Sequence, residues 1–190
     1  MKRSDEDQPE IDIALLERVG VRDELAIGEL YDRHSRLLFS LLVRILRDQA
    51  QAEDVLQEVF LGVWTHSHTY NPAVGPPIAW LLGMARNRAI DRLRSADARL
   101  RASQAAPVDC QARPNPEECA SLGEQWRAAS RALDALPLEQ RVLVEDAYFL
   151  GLSHAELAVR HELPLGTVKW RIRTGMQRLR QSLTSVRVDR

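Results

Sequence analysis

Between Ser153 and Leu183 the chain reads SHAELAVRHELPLGTVKWRIRTGMQRLRQSL, and its chemistry there lies in cations and amides, not in nucleophiles or acid–base pairs. On a wheel of about 100° per residue, Trp170, Thr174, Gln177 and Gln181 fall on one side of the segment after Thr167. Lys169, Arg173 and Arg180 border that side on one flank, and Arg171 and Arg178 on the other. A polar centre that reaches base edges, framed by cations that hold phosphates, is the equipment of major-groove recognition, in which base contacts specify and phosphate contacts position. An ordinary amphipathic helix with a solvated basic face has the same pattern, and the wheel alone does not separate the two.

The elements that must position these side chains read as a helix, a tight turn and a second helix. Ser153 is an N-cap residue, and Glu156 three positions on completes a capping box. Ala155, Leu157 and Ala158 give this helix a small apolar face, and His161-Glu162-Leu163-Pro164 ends it, because the residue before proline is pushed out of the α region. Gly166-Thr167 is expected to open the second helix, with Thr167 as its cap. Val168, Ile172, Met176, Leu179 and Leu183 are expected to form its core stripe. Gly175 inside that helix costs about 1 kcal/mol relative to alanine, so the helix depends on tertiary packing. A helix–turn–helix arrangement favours DNA over the solvated-face reading.

Net charge is only −1 over 190 residues, and the charge is segregated. Residues 1–24 carry eight acids, including Asp12 and Asp23, against four bases, while residues 86–101 carry Arg86, Arg88, Arg92, Arg94, Arg99 and Arg101 against Asp91 and Asp97. Two separate basic stretches suit two contacts with a polyanion. The apolar fraction of 45% is that of a globular protein. No apolar run is long enough to span a membrane and no signal-peptide pattern is present, so direct membrane insertion is not expected and a cytoplasmic location is. Cys110 and Cys119, nine apart, make no zinc pattern; two reduced thiols or a redox-switchable linker disulfide both fit.

The remaining chain is helical in pattern. Residues 1–10 are polar and acidic. From Ile11 to about Asp48 an apolar stripe runs through Leu25, Leu30, Leu37, Leu41 and Ile45, with Tyr31 and His34 expected to be partly buried. In Ala50–Trp64, Val55, Leu56, Val59 and Val63 face the core, and Asp54, Gln57, Glu58 and Leu61 share the other side. An acidic face with an exposed leucine fits protein docking, or simply a solvated face. His66–Pro77 is a loop; its two histidines lack further ligands for a metal, and its Tyr70 suits the capture of an unstacked base. In Ile78–Arg94, Leu82, Ala85, Ala89, Ile90 and Leu93 face inward, opposite Met84, Asn87, Arg88, Asp91 and Arg94, with Trp80 near the latter. Residues 95–125 read as a linker, after which Trp126–Leu136 and Leu138–Phe149 are helices, the latter ending near Gly151. There is no strand pattern, no phosphate-binding glycine loop, and no expected metal, cofactor or catalytic residue.

The segments AEDVLQEVFLGVW, WLLGMARNRAIDRLR, ALPLEQRVL, GLSHAELA and LPLGTVKWRIRTGMQRLR, in that order, resemble the extracytoplasmic-function (ECF) sigma factors, the small two-domain members of the bacterial sigma-70 family. The resemblance covers residues 22–101 and 128–183. It implies an all-α fold of two small helical domains joined by a flexible linker, the second containing the helix–turn–helix: an acidic tail and helix start over 1–21, a region 2 domain over 22–101, a linker over 102–127 and a region 4 domain over 128–185.

What the resemblance implies for sites follows residue by residue. Asp54, Gln57, Glu58 and Leu61 match the surface that docks on the β′ clamp helices of core RNA polymerase, with the β flap as a further contact of the family. Tyr70, Asn71, Trp80, Met84, Asn87, Arg88, Asp91 and Arg94 match the part that opens the −10 element and captures a flipped base. Thr167, Lys169, Trp170, Arg171, Arg173, Thr174 and Gln177 match positions that enter the −35 major groove. Promoter DNA, core polymerase and a cognate anti-sigma factor, often membrane-anchored, are the implied partners. Trp170 departs from the serine usual in the family, and Thr174-Gly175-Met176 departs from its basic run. A stand-alone helix–turn–helix regulator remains the alternative; it would need a dimerisation or signal-receiving domain in place of residues 50–94. An enzyme would need a nucleophile–base pair or paired carboxylates that are not visible.

Overall fold

In a computed structural model, residues 8–102 and 130–188 are described, and among them there is helix and turn but no strand. They fall into two compact units. Residues 1–7, the expected linker beyond residue 102, and Cys110 and Cys119 lie outside the described residues.

The first unit holds α1 (Gln8–Gly20), α2 (Glu24–Leu46), α3 (Gln49–His66), a 3-10 turn (Ser67–Thr69) and α4 (Pro77–Ala102). Its corners are made by local chemistry. Arg22 and Arg47 take the left-handed backbone conformation, at φ 67° and 55°, and each is followed by an aspartate that caps the next helix. The amides of Leu25 and Ala26 donate to Asp23, and the amide of Gln51 donates to Asp48. Arg18 clasps Asp23 at 2.7 Å, fastening the α1–α2 corner. The core is built from Leu15, Leu16 and Val19 of α1, Leu30, Leu38, Leu41 and Leu42 of α2, Val55, Val59 and Val63 of α3, and Leu81, Ala85 and Ala89 of α4. The stretch expected to be an acidic tail and helix start is thus, from Gln8, a packed helix. His34, expected to be partly buried, is 7% exposed, whereas Leu25 is 75% exposed. Five residues turn a helix by about 140° from Leu30, which carries Leu25 off the stripe.

The second unit contains helical residues 130–134, α5 (Leu138–Phe149), α6 (His154–Arg160) and α7 (Leu165–Val188). Leu143, Leu157 and Val168, one from each named helix, form its centre, with Leu152, Leu163 and Ile172 packed around them. Gly151 follows α5 at φ 64°, a conformation glycine adopts without strain. The capping box is complete: the Glu156 amide donates to Ser153 Oγ at 3.3 Å, and the Ser153 amide donates to Glu156 Oε2 at 2.7 Å. The turn into α7 closes with Glu162 at φ 53° and the Leu163 amide donating to the Ala158 carbonyl. Across it, His161 Nε2 donates to Asp146 Oδ2 of α5 at 2.8 Å.

Two expectations for α7 are corrected. The helix begins at Leu165, because the Val168 amide already donates to the Pro164 carbonyl; Thr167 lies inside the first turn and is not the cap. Met176 is 53% exposed, and Gly175 is buried in its place. A methyl group on Gly175 would stand 3.2 Å from Val144 Cγ2 and 3.4 Å from Gln140 Cβ, so the absence of a side chain here lets α7 lie close on α5.

Candidate nucleic-acid interface

On α7, the side opposite Val168 carries Lys169, Trp170, Arg173 and Gln177, all exposed, with Trp170 at 60%. Thr174 is half-buried, and its hydroxyl donates to the Trp170 carbonyl at 2.9 Å, so its proton is held within the helix. Thr167 is half-buried as well. The two flanks differ. Arg171 pairs with Glu139 of α5 at 2.7 Å, and Arg178 donates to Gln140 Oε1 at 3.3 Å, so that flank is tied into the second unit. Lys169 and Arg173 stand on the solvent flank. The sequence-expected set is therefore brought to one side of one helix, except that Arg171 turns to its neighbour.

On α3, Asp54, Gln57 and Leu61 are exposed, Leu61 at 65%. Glu58, expected in the same set, is engaged by α4: Arg92 Nη2 lies 2.6 Å from Glu58 Oε1, and Arg88 Nη1 3.8 Å from Glu58 Oε2. Arg88 and Met84 pass over Gly62 of α3, where an added Cβ would lie 2.8 Å from Arg88 Nη2 and 3.0 Å from Met84 Sδ. Arg88 is thus shared between the outer face of α4 and the α3 contact. Asn87, Asp91 and Arg94 are exposed along α4.

The loop before α4 is built, not slack. The Tyr70 hydroxyl donates to the Gly75 carbonyl at 2.9 Å, and its ring meets Trp80 edge-on at 5.8 Å between centroids. Asn71 shapes the tip: its side-chain oxygen accepts from the Ala73 amide and its carbonyl from the Val74 amide, both at 3.0 Å. Asn71 to Val74 are exposed, while Tyr70 and Trp80 are half-buried. Burial first, and the charge of Asp12 second, raise the Tyr70 hydroxyl above its ordinary pKa. Tyr70 and Trp80 thus pack on each other, and Arg22 covers the Trp64 ring at 5.1 Å and donates to its carbonyl.

Sequence reasoning missed the buried partners that hold this unit together. Asp12, counted only as part of an acidic stretch, is 3% exposed and bonded to Arg33 at 2.7 Å and His34 at 2.8 Å. A signal existed: Asp12 shares the i, i+3, i+4, i+7 spacing of Leu15, Leu16 and Val19. Among the described residues no cluster of three or more histidine, cysteine or acidic side chains is placed to hold a metal ion. No helix among them is long and apolar enough to cross a membrane.

Comparison with known families matches residues 30–99 to sigma-70 region 2 and residues 126–179 to sigma-70 region 4. The ECF RNA polymerase sigma factor SigK of Mycolicibacterium vanbaalenii is 36% identical over 174 residues, covering 90% of this chain and 88% of its own. That of Mycobacterium tuberculosis strain H37Rv is 37% identical over 176 residues, covering 90% and 92%. Among solved structures, Rhodobacter sphaeroides SigE in complex with the anti-sigma ChrR is 31% identical, with a TM-score of 0.47, over 90% of this chain and 96% of that one. With two family segments in order and relatives aligned over nine-tenths of its length, the chain belongs to the ECF sigma factors of the sigma-70 family, the RNA polymerase subunits that direct transcription initiation.

Proposed function

We propose that the two units divide promoter recognition and polymerase docking between three surfaces. The exposed side of α7, through Lys169, Trp170, Arg173 and Gln177, enters the −35 major groove, with Thr167, Thr174 and Arg171 at its margins. The loop Tyr70–Pro77 and the outer face of α4, through Asn71, Asn87, Arg88, Asp91 and Arg94, open and capture the −10 element; Tyr70, Trp80 and Met84 shape that surface. Asp54, Gln57 and Leu61 dock on the β′ clamp helices of core polymerase, and the second unit meets the β flap. The observation that carries this reading is the exposure of the α7 polar and cationic side chains on the side away from Val168.

The physics suits a weak, cooperative reader. Each unit offers few phosphate contacts, so each binds DNA weakly at physiological salt. Joined through residues 102–127 and through the polymerase, the second contact becomes effectively intramolecular. Unstacking the −10 bases costs a few kcal/mol, offset by capture of an extruded base. The chain itself contributes no catalytic group, since the polymerase performs phosphoryl transfer, and it works in the cytoplasm where that enzyme is. A cognate anti-sigma factor, membrane-anchored in many family members, is the expected regulator.

Run-off transcription with core polymerase on promoters carrying scrambled −10 or −35 elements tests the reading. Transcripts should require the chain, the core enzyme and both elements. DNA binding without core polymerase, and no transcript with it, would indicate a stand-alone regulator instead.

A further inference from the structure

We propose that Asp12 of α1 is a positioning residue for promoter opening, which holds the base of the Tyr70–Gly75 loop in the form that engages DNA. The inference rests on assigning that loop to the −10 element. It concerns a helix that precedes the matched region 2 segment, which begins at residue 30.

Asp12 is a buried carboxylate with both oxygens occupied: Arg33 Nε donates to Oδ1 at 2.7 Å, and His34 Nε2 donates to Oδ2 at 2.8 Å. Such a charge is tolerated only because both donors are in place, and removing one side strands the others. The arrangement fixes α1 in register on α2, with Leu15, Leu16 and Val19 completing the contact. Helix α1 also packs against the 3-10 turn Ser67–Thr69 that carries the chain from α3 into the loop. Gly20 and Ser67 meet there; a methyl on Gly20 would stand 3.7 Å from Ser67 Oγ, and Ser67 is buried.

From that turn the order propagates. The Tyr70 amide donates to the Ser67 carbonyl at 3.0 Å, the Tyr70 hydroxyl closes on Gly75, and its ring rests on Trp80 at the start of α4. The Tyr70 hydroxyl is raised above its ordinary pKa by burial first and by the charge of Asp12 second. The loop thus has an anchored base, residues 67–70 and 75, and an exposed tip, residues 71–74. A tip ordered in advance captures an unstacked base without the entropy cost of ordering at that moment. Loosening α1 raises that cost, and does so only at the opening step.

The test uses the full chain with core polymerase. Asp12→Asn keeps the shape and removes the charge. Arg33→Gln is the second variant, which removes the partly exposed cation while the Asp12–His34 bond survives. Permanganate reactivity of −10 thymines is read on duplex and on pre-melted promoters, beside amide exchange over residues 67–75 and 154–160. For Asp12→Asn the expectation is a loss of duplex opening of about tenfold, near-complete recovery on the pre-melted template, and faster exchange at 67–75 but not at 154–160. Arg33→Gln should change both in the same direction, and it carries the test if Asp12→Asn loses its helical circular dichroism. Wild-type opening in the folded variants, unchanged exchange at 67–75, or an equal loss on both templates would overturn the proposal. Asn71→Ala runs alongside. If it too opens normally, the loop assignment itself fails; if it alone impairs opening, only the role of Asp12 does.

Discussion

Arg92 of α4 reaches across to Glu58 of α3 at 2.6 Å, and Arg88 stands 3.8 Å from the same carboxylate. Glu58 therefore has a structural task within the first unit, and the docking surface proposed on α3 rests on the exposed Asp54, Gln57 and Leu61. Asp54→Lys combined with Leu61→Ala should weaken core polymerase binding by about ten- to a hundredfold, with circular dichroism and melting temperature unchanged. Glu58→Gln should instead lower stability, by about 0.5 kcal/mol because the pair is partly exposed to solvent. Normal polymerase affinity in the folded double variant would remove this surface from the docking assignment.

Gly175 sets a second expectation. Alanine is preferred in a helix interior by about 1 kcal/mol, but here its methyl would crowd Val144 Cγ2 at 3.2 Å. The two effects oppose, so Gly175→Ala should change stability by less than about 1 kcal/mol. Gly175→Leu cannot be absorbed and should cost about 2–3 kcal/mol. In a Val144→Ala background, Gly175→Ala should become stabilising, a coupling of about 0.5 kcal/mol or more. Urea unfolding of the four proteins gives the cycle; simple additivity would mean that α5 and α7 do not meet at this pair.

The aspartate caps predict an acid sensitivity. Arg18 holds the Asp23 carboxyl below its ordinary pKa, with the Ala26 and Leu25 amides adding to this; the Gln51 backbone amide does the same for Asp48. A carboxyl whose folded pKa is lowered stabilises the fold above its unfolded pKa, and that stabilisation is lost as pH falls through the folded value. The first unit should therefore keep its melting temperature down to about pH 5 and lose it progressively below about pH 4. Asp48→Asn, which caps without titrating, should flatten part of that slope. An identical acid profile in this variant would show that the cap carboxylate is not linked to folding.

How far the sequence revealed this arrangement follows from how local each cause is. Helix α5 was legible because Pro137 and Gly151 punctuate it, and the Ser153–Glu156 capping box because its two halves are three residues apart. The side of α7 that carries Trp170 was legible from period alone. Met176 was misplaced because the wheel weighs hydrophobicity, whereas the seam with α5 requires the absence of a side chain, and Gly175 supplies that. The pairing of Glu58 with Arg92 joins residues 34 apart, and that of Asp12 with His34 joins residues 22 apart. Nothing in either local segment announces a partner so distant. Thr167 is a good cap residue in isolation, yet α7 starts almost one turn earlier, because the Pro164 carbonyl already accepts from Val168.

Trp170 yields the most discriminating prediction. It is 60% exposed on α7, between exposed Lys169 and Arg173, and its carbonyl accepts the Thr174 hydroxyl proton. An indole so placed offers a broad apolar surface where the family usually presents a small hydroxyl, suited to a thymine methyl or a sugar face. Trp170→Ala should then change which −35 sequences are preferred, with a loss of discrimination of about 1–3 kcal/mol at one position. Arg173→Ala should weaken all sequences nearly equally and lower the salt slope by about one. Arg171→Ala should behave differently from Arg173→Ala, lowering the stability of the second unit, because it breaks the contact with Glu139. Selection from a randomised −35 library, run beside melting curves for the three variants, separates these roles. An unchanged preference with a lowered melting temperature in Trp170→Ala would make the indole a packing group and leave base reading to Lys169 and Gln177.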